Sequence, residues 1–221
     1  MPTKAPSPVD RPARAPRGRP RSEQARRAII SAGLEIVRDE GYQAMTIDAV
    51  AKRSGVARTT IYRWWPSCAM LLIDVFLELA AVEAPSPTGP DPLRAIRLEL
   101  RRIAVVSNAL VGRVLLALLG AAQHDPAVRT ALLERVIRPR REASARAVRD
   151  AQARGLIRDD VNPYVAVDLL YGPIFYRMLV GHEPATERFA TQTFERVMEG
   201  LGVVTASSPA ATHSTSRASR G

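Results

Sequence analysis

A cluster of side chains that can bind DNA lies in one short stretch of the sequence. The stretch reads ARTTIYRWWP and places hydroxyl, phenol and guanidinium groups at Arg58, Thr59, Thr60, Tyr62 and Arg63. Hydroxyl and phenol groups can form hydrogen bonds with phosphate oxygens, and a guanidinium group can bind a phosphate or the edge of a guanine base. These residue types therefore predict contact with DNA, provided that one surface presents them together.

The residues around this stretch have the sizes that a helix-turn-helix requires. Its two helices cross closely, so the first needs a small residue, the turn needs a glycine, and the second needs a branched apolar residue. Ala51, Gly55 and Ile61 meet these demands, and Val50 and Val56 are apolar where the core between the helices needs them. We therefore expect a helix-turn-helix core that turns the polar side chains of the stretch outward.

The elements that would position these side chains are all predicted to be helical. Between the two ends of the chain, no β-type alternation extends beyond a few residues, and no repeat occurs at solenoid spacing. Capping residues, glycines such as Gly41 and prolines predict four helices in the first part, which span 22–41, 46–55, 57–64 and 67–84. The fourth of these helices is apolar on every side, so we expect it to be buried between other elements.

The segment PSPTGPD at 85–91 interrupts the helical pattern, and further helices are predicted after it. Two helices carry apolar stripes between residues 93 and 118. A long helical stretch opens at Asp125, and Pro139 should kink or divide it because proline cannot join the regular helical hydrogen bonding.

Two more helices are predicted near the end of the chain. Asn162 followed by Pro163 is typical of an N-cap with a proline in the first turn, and the last helix should begin at Pro184. The chain should therefore be all-α, with nine to ten helices. The predicted organisation is a disordered basic arm, a three-helix DNA-binding domain, a connecting helix, a helical remainder and a disordered tail, at 1–21, 22–66, 67–84, 92–202 and 203–221.

Positive charge is concentrated in the first third of the chain. Residues 1–66 carry 13 Lys and Arg against 6 Asp and Glu, whereas residues 67–221 carry 19 against 16. An anionic partner should therefore dock on the first third. Nucleic acid and an anionic membrane would both fit this charge, and the helix-turn-helix pattern favours nucleic acid.

The sequence does not contain the residue groupings that a metal site, a disulfide or an active site would need. Cys68 is the only cysteine, so no intramolecular disulfide and no cysteine metal cluster can form. His124, His182 and His213 have no partner three or four residues away that could complete a metal site. Because no nucleophile–base pair or Gly-rich phosphate loop occurs, we expect neither an enzyme nor a bound cofactor.

The sequence also predicts neither export nor a membrane span. The N-terminus is basic and rich in proline, with no apolar segment after it, unlike a secretory signal. The most apolar stretch, Ile103–Ala122, is interrupted by Asn108 and Arg113 and is interpreted as a core helix. We therefore expect a cytoplasmic protein without membrane contact.

The sequence TIDAVAKRSGVARTTIYRWWPS, preceded by a helix ending in DEGY, closely resembles the DNA-binding domain of the TetR family of bacterial regulators. This resemblance covers Ser22 to about Phe76. The later segment LLYGPIFYRMLVG is similar to the ligand-binding and dimerising body of one TetR subgroup. The resemblance implies that Thr46 and Tyr62 contact phosphates. It also implies that the recognition helix varies with the operator at Arg58, Thr59, Thr60, Arg63 and Trp64.

The chain departs from the family pattern at three neighbouring positions. Many members carry a phosphate-binding lysine directly after the Pro-Ser pair, where this chain has Cys68, so that contact is not carried over. Trp64 and Trp65 replace the commoner histidine or arginine and phenylalanine.

The resemblance further implies a homodimer that places two recognition helices in successive major grooves of a palindromic operator. A small-molecule effector bound in the helical body would release the DNA, which makes the chain a repressor. The alternative is an architectural DNA-binding protein without an effector, whose body only dimerises.

Two further sets of residues have more than one interpretation. The arm ends in RGRPR, and Arg17, Arg19 and Arg21 could either grip an A·T-rich minor groove or touch phosphates without sequence preference. Large side chains of the last two predicted helices could belong to the core, to a dimer interface or to a pocket wall. These side chains are Tyr171, Phe175, Tyr176, Met178, Phe194 and Met198.

Overall fold

The computed structural model describes residues 19–83 and 89–202, which form α-helices joined by short connections. Most of the predicted basic arm and tail lies outside the described residues. A 3₁₀ turn spans Tyr42–Ala44, and a π-helical segment spans Leu133–Ile137. The α-helices are α1 (Arg19–Asp39), α2 (Ile47–Ser54), α3 (Arg58–Trp64), α4 (Cys68–Glu83), α5 (Pro92–Ser107), α6 (Leu110–His124), α7 (Pro126–Leu132), α8 (Arg138–Ala153), α9 (Pro163–Val180) and α10 (Glu187–Leu201).

The predicted all-α fold of nine to ten helices is confirmed for the described residues. Helix α7, the π-helical segment and α8 follow one another without a break, so the ten α-helices form nine continuous runs. Within 19–83 and 89–202, the only β-type pairing is one isolated bridge between Ile157 and Gly202.

The helices pack as two compact units. The first unit contains α1 to α4, α6, α7 and the π-helical segment. The second contains α5, α8, α9 and α10. The domain ranges predicted from the sequence stay predictions.

Helix α4 is the central element of the first unit and packs against α1, α6 and α7. The prediction that this apolar helix is buried between other elements is confirmed, since half of its residues are buried. The buried residues are Leu71, Leu72, Ile73, Asp74, Val75, Phe76, Leu79 and Ala80. Asp74 is the one charged side chain among them.

Helices α1 and α4 approach each other closely at Gly33. A Cβ atom at this position would lie 2.8 Å from Cγ2 of Val75, closer than two carbon atoms can pack. Glycine therefore permits the contact on which the core of the first unit is built.

The second unit has its own apolar core, in which α5 packs against α8, α9 and α10. Small residues such as Ala145 and Ala151 on α8 lie among larger branched and aromatic ones, so the helices can interdigitate. The larger buried side chains of this core include Ile96, Leu100, Val148, Ile157, Leu170, Ile174 and Phe194.

Side-chain caps begin helices where the sequence indicates them. Thr46 Oγ1 accepts a hydrogen bond from the Ala49 amide at 3.1 Å at the start of α2. Asn162 Oδ1 accepts one from the Tyr164 amide at 2.9 Å at the start of α9. Each cap satisfies an amide that has no partner within its own helix.

Three helix ends differ from the predictions. Helix α1 begins at Arg19, earlier than predicted, because a proline at its second position needs no amide partner in the first turn. It ends at Asp39, and Gly41 has φ 88° and ψ 163° rather than a left-handed helical conformation, since it leads into the 3₁₀ turn. Helix α10 begins at Glu187, later than predicted, because Thr186 caps it.

The predicted effect of Pro139 takes the form of a π-helical segment just before it. Proline lacks an amide hydrogen, and its ring collides with the carbonyl group of the preceding α-helical turn. Widening that turn by one residue removes the collision without ending the helix.

No single helix in the described parts of the chain is both long and apolar enough to cross a membrane. Two pairs of helices reach the required length and apolar composition only when the members are taken together across a sharp bend.

Candidate nucleic-acid interface

Helices α2 and α3 are joined by the short turn that a helix-turn-helix needs. Gly55 ends α2 with φ 69° and ψ 12°, the left-handed conformation that glycine adopts without steric cost. Its amide donates to the Ala51 carbonyl at 3.0 Å, which closes the last turn of α2. Three residues, 55–57, therefore reverse the chain before α3 begins at Arg58.

The predicted core residues lie between these helices to different extents. Ile61 of α3 and Val50 of α2 are fully buried. Ala51 and Val56 are half-buried, and Gly55 is exposed at the turn. Burial of Ile61 fixes which side of α3 faces inward, because side chains on a helix repeat every 3.6 residues.

The polar side chains of α3 point away from this core. Arg58, Thr59, Tyr62 and Arg63 are exposed, and Thr60 is half-buried. Tyr62 is 53% exposed, although an aromatic ring of its size is usually buried in the absence of a partner. The structure thus brings the predicted DNA-contacting residues of α3 together on one surface.

Arg58 also has a protein partner at the start of α3. Its Nη1 atom donates to Asp48 Oδ1 of α2 at 2.8 Å, and both side chains are largely exposed. An exposed ion pair of this kind contributes little free energy, so the guanidinium group can exchange Asp48 for another acceptor.

Thr46 lies exposed at the start of α2, where its hydroxyl oxygen serves as the helix cap. A hydroxyl group that accepts a hydrogen bond keeps its own hydrogen for donation. The helix N-terminus also favours negative charge, so this hydroxyl group is suited to a phosphate oxygen.

The two tryptophans at the end of α3 lie in different surroundings. Trp65 is 3% exposed, and its Nε1 donates to Oδ2 of Asp74 at 2.9 Å. Trp64 is half-buried, and its Nε1 atom is buried without a hydrogen-bond partner in the structure. Their ring centroids lie 6.1 Å apart.

Cys68 replaces a lysine of the family pattern and has a structural contact instead. Its Sγ donates to the Met45 carbonyl at 2.9 Å, which ties the start of α4 to the residue before Thr46. Burial raises the pKa of the Cys68 thiol, so the group is neutral at physiological pH and offers no charge to a phosphate.

The sequence did not indicate the residues that hold the end of α3 in place. Asp74 accepts hydrogen bonds from Trp65, Arg26 and Arg135, which come from other elements of the first unit. The available signal was one acidic residue inside the apolar run LLIDVF of α4. A charge at that position must be paired to be buried.

The three arginines predicted to bind the minor groove lie outside the described residues or at their very start. Arg17 lies outside those residues. Arg19 and Arg21 belong to the first turn of α1.

The candidate residues of the second unit are distributed between its core and its surface. Phe194 is buried, Phe175, Met178 and Met198 are half-buried, and Tyr176 is exposed. Tyr171 is buried, and its phenol donates to the carboxylate of Glu99.

Glu99 forms a buried polar group with Tyr171 and Ser144, whose Oγ lies 3.4 Å from Glu99 Oε2 and 3.2 Å from the Tyr171 oxygen. Burial raises the pKa of Glu99 to about 7, although the hydrogen bond from Tyr171 and the positive charge of Arg140 act in the opposite direction. Burial and the neighbouring Glu99 charge raise the pKa of Tyr171, so its phenol keeps its proton.

The described residues contain no group of three or more His, Cys, Asp or Glu side chains that could hold a metal ion.

Two family models match the chain. Residues 29–75 match the family described as "Bacterial regulatory proteins, tetR family", a range that contains α2 and α3. Residues 92–197 match "Tetracyclin repressor-like, C-terminal domain".

Similar proteins include helix-turn-helix regulators from several bacteria. The HTH-type transcriptional regulator YdeS of Bacillus subtilis is 30% identical over 190 residues, which are 86% of this chain and 96% of YdeS. The HTH-type transcriptional repressor KstR of Rhodococcus jostii is 33% identical over 84 residues, 37% of this chain and 40% of KstR.

Solved structures of other proteins have a similar fold. The TetR family transcription regulator SCO0332 superposes with a TM-score of 0.70 at 33% identity, over 81% of this chain and 100% of its own. The repressor FadR of Thermus thermophilus, in complex with lauroyl-CoA, has a TM-score of 0.63 at 22% identity, over 83% of this chain and 98% of its own.

Proposed function

The chain belongs to the TetR family of helix-turn-helix transcriptional regulators, and from that premise we propose a homodimeric repressor that a small molecule releases from a palindromic operator. The observation that carries the proposal is the surface of α3. Ile61 is buried while Arg58, Tyr62 and Arg63 are exposed, so α3 can enter a major groove without unfolding its core.

The proposed contacts differ in kind. Thr46 and Tyr62 bind phosphates, which sets the position of the protein on the duplex. Arg58 and Arg63 reach base edges, and Thr59, Thr60 and Trp64 adjust the fit to the operator sequence.

A second copy of the chain is the proposed partner of α9. Val165, Leu169, Tyr176, Leu179 and Val180 are exposed apolar residues that share one side of this helix. A Cβ atom at Gly172, between them, would meet nothing within 4 Å. An apolar stripe of this length on a surface indicates an interface, and a two-fold operator requires two recognition helices roughly 34 to 36 Å apart.

A small-molecule effector is proposed to bind in the part of the chain that matches the tetracyclin repressor-like C-terminal domain. The complex of the fold neighbour FadR with lauroyl-CoA supports this proposal by analogy. Titration of a compound panel that includes lauroyl-CoA into the operator complex tests it. Dissociation by one member supports release, whereas a compound that only tightens the complex overturns it.

The protein is proposed to act by binding rather than by catalysis, and in the cytoplasm, where chromosomal DNA is found.

The proposed minor-groove contacts of Arg17, Arg19 and Arg21 extend the surface that the protein covers on the DNA. Removing residues 1–21 should lower the preference for A·T-rich flanks. A loss of affinity that leaves this preference intact would assign the arm to nonspecific phosphate contacts.

Electrophoretic mobility shifts on palindromic DNA from near the chain's own gene test the central proposal. We expect a mobility shift that persists when unrelated DNA of equal length is added as competitor. Binding that ignores sequence would favour an architectural protein. The absence of any shift at salt concentrations up to the physiological range would contradict DNA binding altogether.

A further inference from the structure

The side chain of Asp74 collects hydrogen-bond donors from three other elements of the first unit. It accepts from Arg26 Nη2 of α1 at 3.1 Å, from Trp65 Nε1 at 2.9 Å, and from the Arg135 guanidinium group of the π-helical segment. Only 7% of the Asp74 side chain is exposed. We call these four residues the Asp74 cluster.

The cluster places two guanidinium groups and one indole N–H group around a single carboxylate, so the loss of one donor affects the hydrogen bonds of the others. A buried carboxylate is costly unless its positive partners compensate it. Arg26 and Arg135 share this carboxylate, and the pKa of Arg135 is lowered by burial and by the charge of Arg26. Withdrawal of Arg135 therefore leaves a buried carboxylate with fewer donors and changes how strongly it holds Trp65.

Trp65 connects the cluster to the recognition helix. It is the C-cap residue of α3, and its amide donates to the Ile61 carbonyl at 2.9 Å. Its buried ring is anchored through Nε1 to Asp74. Because the backbone of Trp65 ends α3 and its ring is hydrogen-bonded to Asp74, this residue connects the end of α3 to α4.

Arg135 comes from the part of the chain that is wound as a π-helix. The hydrogen bonds of the π-helical segment Leu133–Ile137 span one residue more than those of an α-helix, a rare arrangement that often occurs at functional positions. If this segment were wound as an α-helix instead, the side chains before it would be rotated by about 100° relative to the side chains after it. Such a rotation would move the Arg135 guanidinium group away from Asp74.

We propose that the Asp74 cluster positions the recognition helix for operator binding and that the π-helical segment controls this position through Arg135. Asp74, Trp65 and Arg135 are thus positioning residues that act on DNA affinity without touching DNA. The affinity part rests on the proposed function, whereas the link between Arg135 and Trp65 can be tested on the free protein.

Tryptophan fluorescence tests the link in the full-length chain. The sequence has two tryptophans, so the Trp64→Phe variant leaves Trp65 as the only emitting indole. In that background Arg135→Ala should shift the emission maximum of Trp65. The control is Arg129→Ala, which removes an exposed arginine from the neighbouring α7 and should leave the emission unchanged. Equal spectra for the two variants overturn the link, whether or not the chain binds DNA.

Operator titration tests the consequence for DNA binding. Arg135→Ala should weaken operator binding at least about fivefold, the lower end of coupling between distinct sites, while Arg129→Ala should change it far less. Arg135→Lys should restore part of the loss because it keeps the positive charge. The Arg135 side chain is 38% exposed, so the variant is expected to fold, which a cooperative thermal melt checks. A changed Trp65 emission with unchanged operator affinity overturns the positioning role.

Two further variants separate the ring contact from the winding. Trp65→Phe keeps a smaller aromatic ring at this position and removes the N–H group, so it should weaken operator binding, and combining it with Arg135→Ala should add little. Pro139→Ala removes the cause of the wide turn and should reproduce the effect of Arg135→Ala. The last control adds Pro139→Ala to a chain that already carries Trp64→Phe and Arg135→Ala. If the Trp65 emission still shifts, the π-helical segment does not act through Arg135.

Discussion

Arg58 and Tyr62 lie on the same exposed side of α3 but are suited to different contacts. The guanidinium group of Arg58 is held by Asp48 in an exposed ion pair that DNA can replace, and it offers the paired donors that a guanine edge requires. The phenol of Tyr62 has one hydroxyl group, which suits a phosphate oxygen.

Replacing these two residues should therefore separate specificity from general affinity. Arg58→Ala should cost roughly 1 to 3 kcal/mol on the best operator and reduce discrimination against substituted operators. Tyr62→Phe should weaken binding to all sequences by a similar factor. Fluorescence anisotropy with the operator and single-base variants measures both effects, and identical specificity profiles for the two variants would contradict the division.

Glu99 makes the stability of the second unit depend on pH. Its pKa is raised by burial from 4.5 in the unfolded chain to about 7 in the folded protein. Between these values the folded state holds a proton that the unfolded state has lost, so the free energy of unfolding falls as the pH rises through this range. The full difference corresponds to roughly 3 kcal/mol.

The variant Glu99→Gln should remove this pH dependence, because glutamine resembles the protonated acid and can still accept from Tyr171. Urea denaturation at pH 5.5, 7 and 8.5 should show a smaller decline for the variant than for the parent chain, and the variant should be more stable at pH 8.5. Parallel pH profiles for the two proteins would show that Glu99 is not the titrating group.

At the scale of helices, the close contact between α1 and α4 depends on Gly33. Gly33→Ala should destabilise the protein by about 1 to 3 kcal/mol, because the added methyl group meets Val75 at 2.8 Å. Gly120→Ala in α6 is the matched control, since a Cβ atom there meets nothing within 4 Å and alanine favours the helix by up to about 1 kcal/mol. Thermal unfolding measures both variants, and equal shifts in Tm would show that the helices can separate without cost.

The starts of many helices could be predicted from sequence because they depend on neighbouring residues. Thr46 caps α2 through an amide three residues away, a distance at which residue type alone decides the geometry. Asp74 could not be interpreted in this way, since Arg26 and Arg135 lie 48 and 61 residues away along the chain. The buried position of Trp65 follows from the same long-range contacts, so the family pattern alone did not distinguish it from Trp64.

At the scale of the whole molecule, the proposed recognition of a palindromic operator requires a second copy as well as a correctly built α3. One recognition helix reads one half-site, and the affinity for a palindrome depends on joining two such contacts. In the proposed homodimer the exposed stripe of α9 supplies the apolar area for this pairing, whereas Leu98 on α5 is an exposed leucine outside the stripe. These two surfaces allow the effect of dimerisation to be separated from the effect of surface charge.

Leu169→Glu should convert the dimer into a monomer, because two copies would bring negative charges together in an apolar interface. Light scattering should then report the 24.1 kDa mass of one chain instead of twice that mass. Operator affinity should fall by at least about a hundredfold, since avidity commonly contributes 10² or more, while binding to an isolated half-site should be unchanged. Leu98→Glu adds the same charge to an equally exposed leucine, 51% against 48%, and should remain dimeric with full operator affinity. If both variants stay dimeric, the α9 stripe is not the dimer interface. If Leu169→Glu is monomeric and still binds the palindrome with normal affinity, each half-site is read independently.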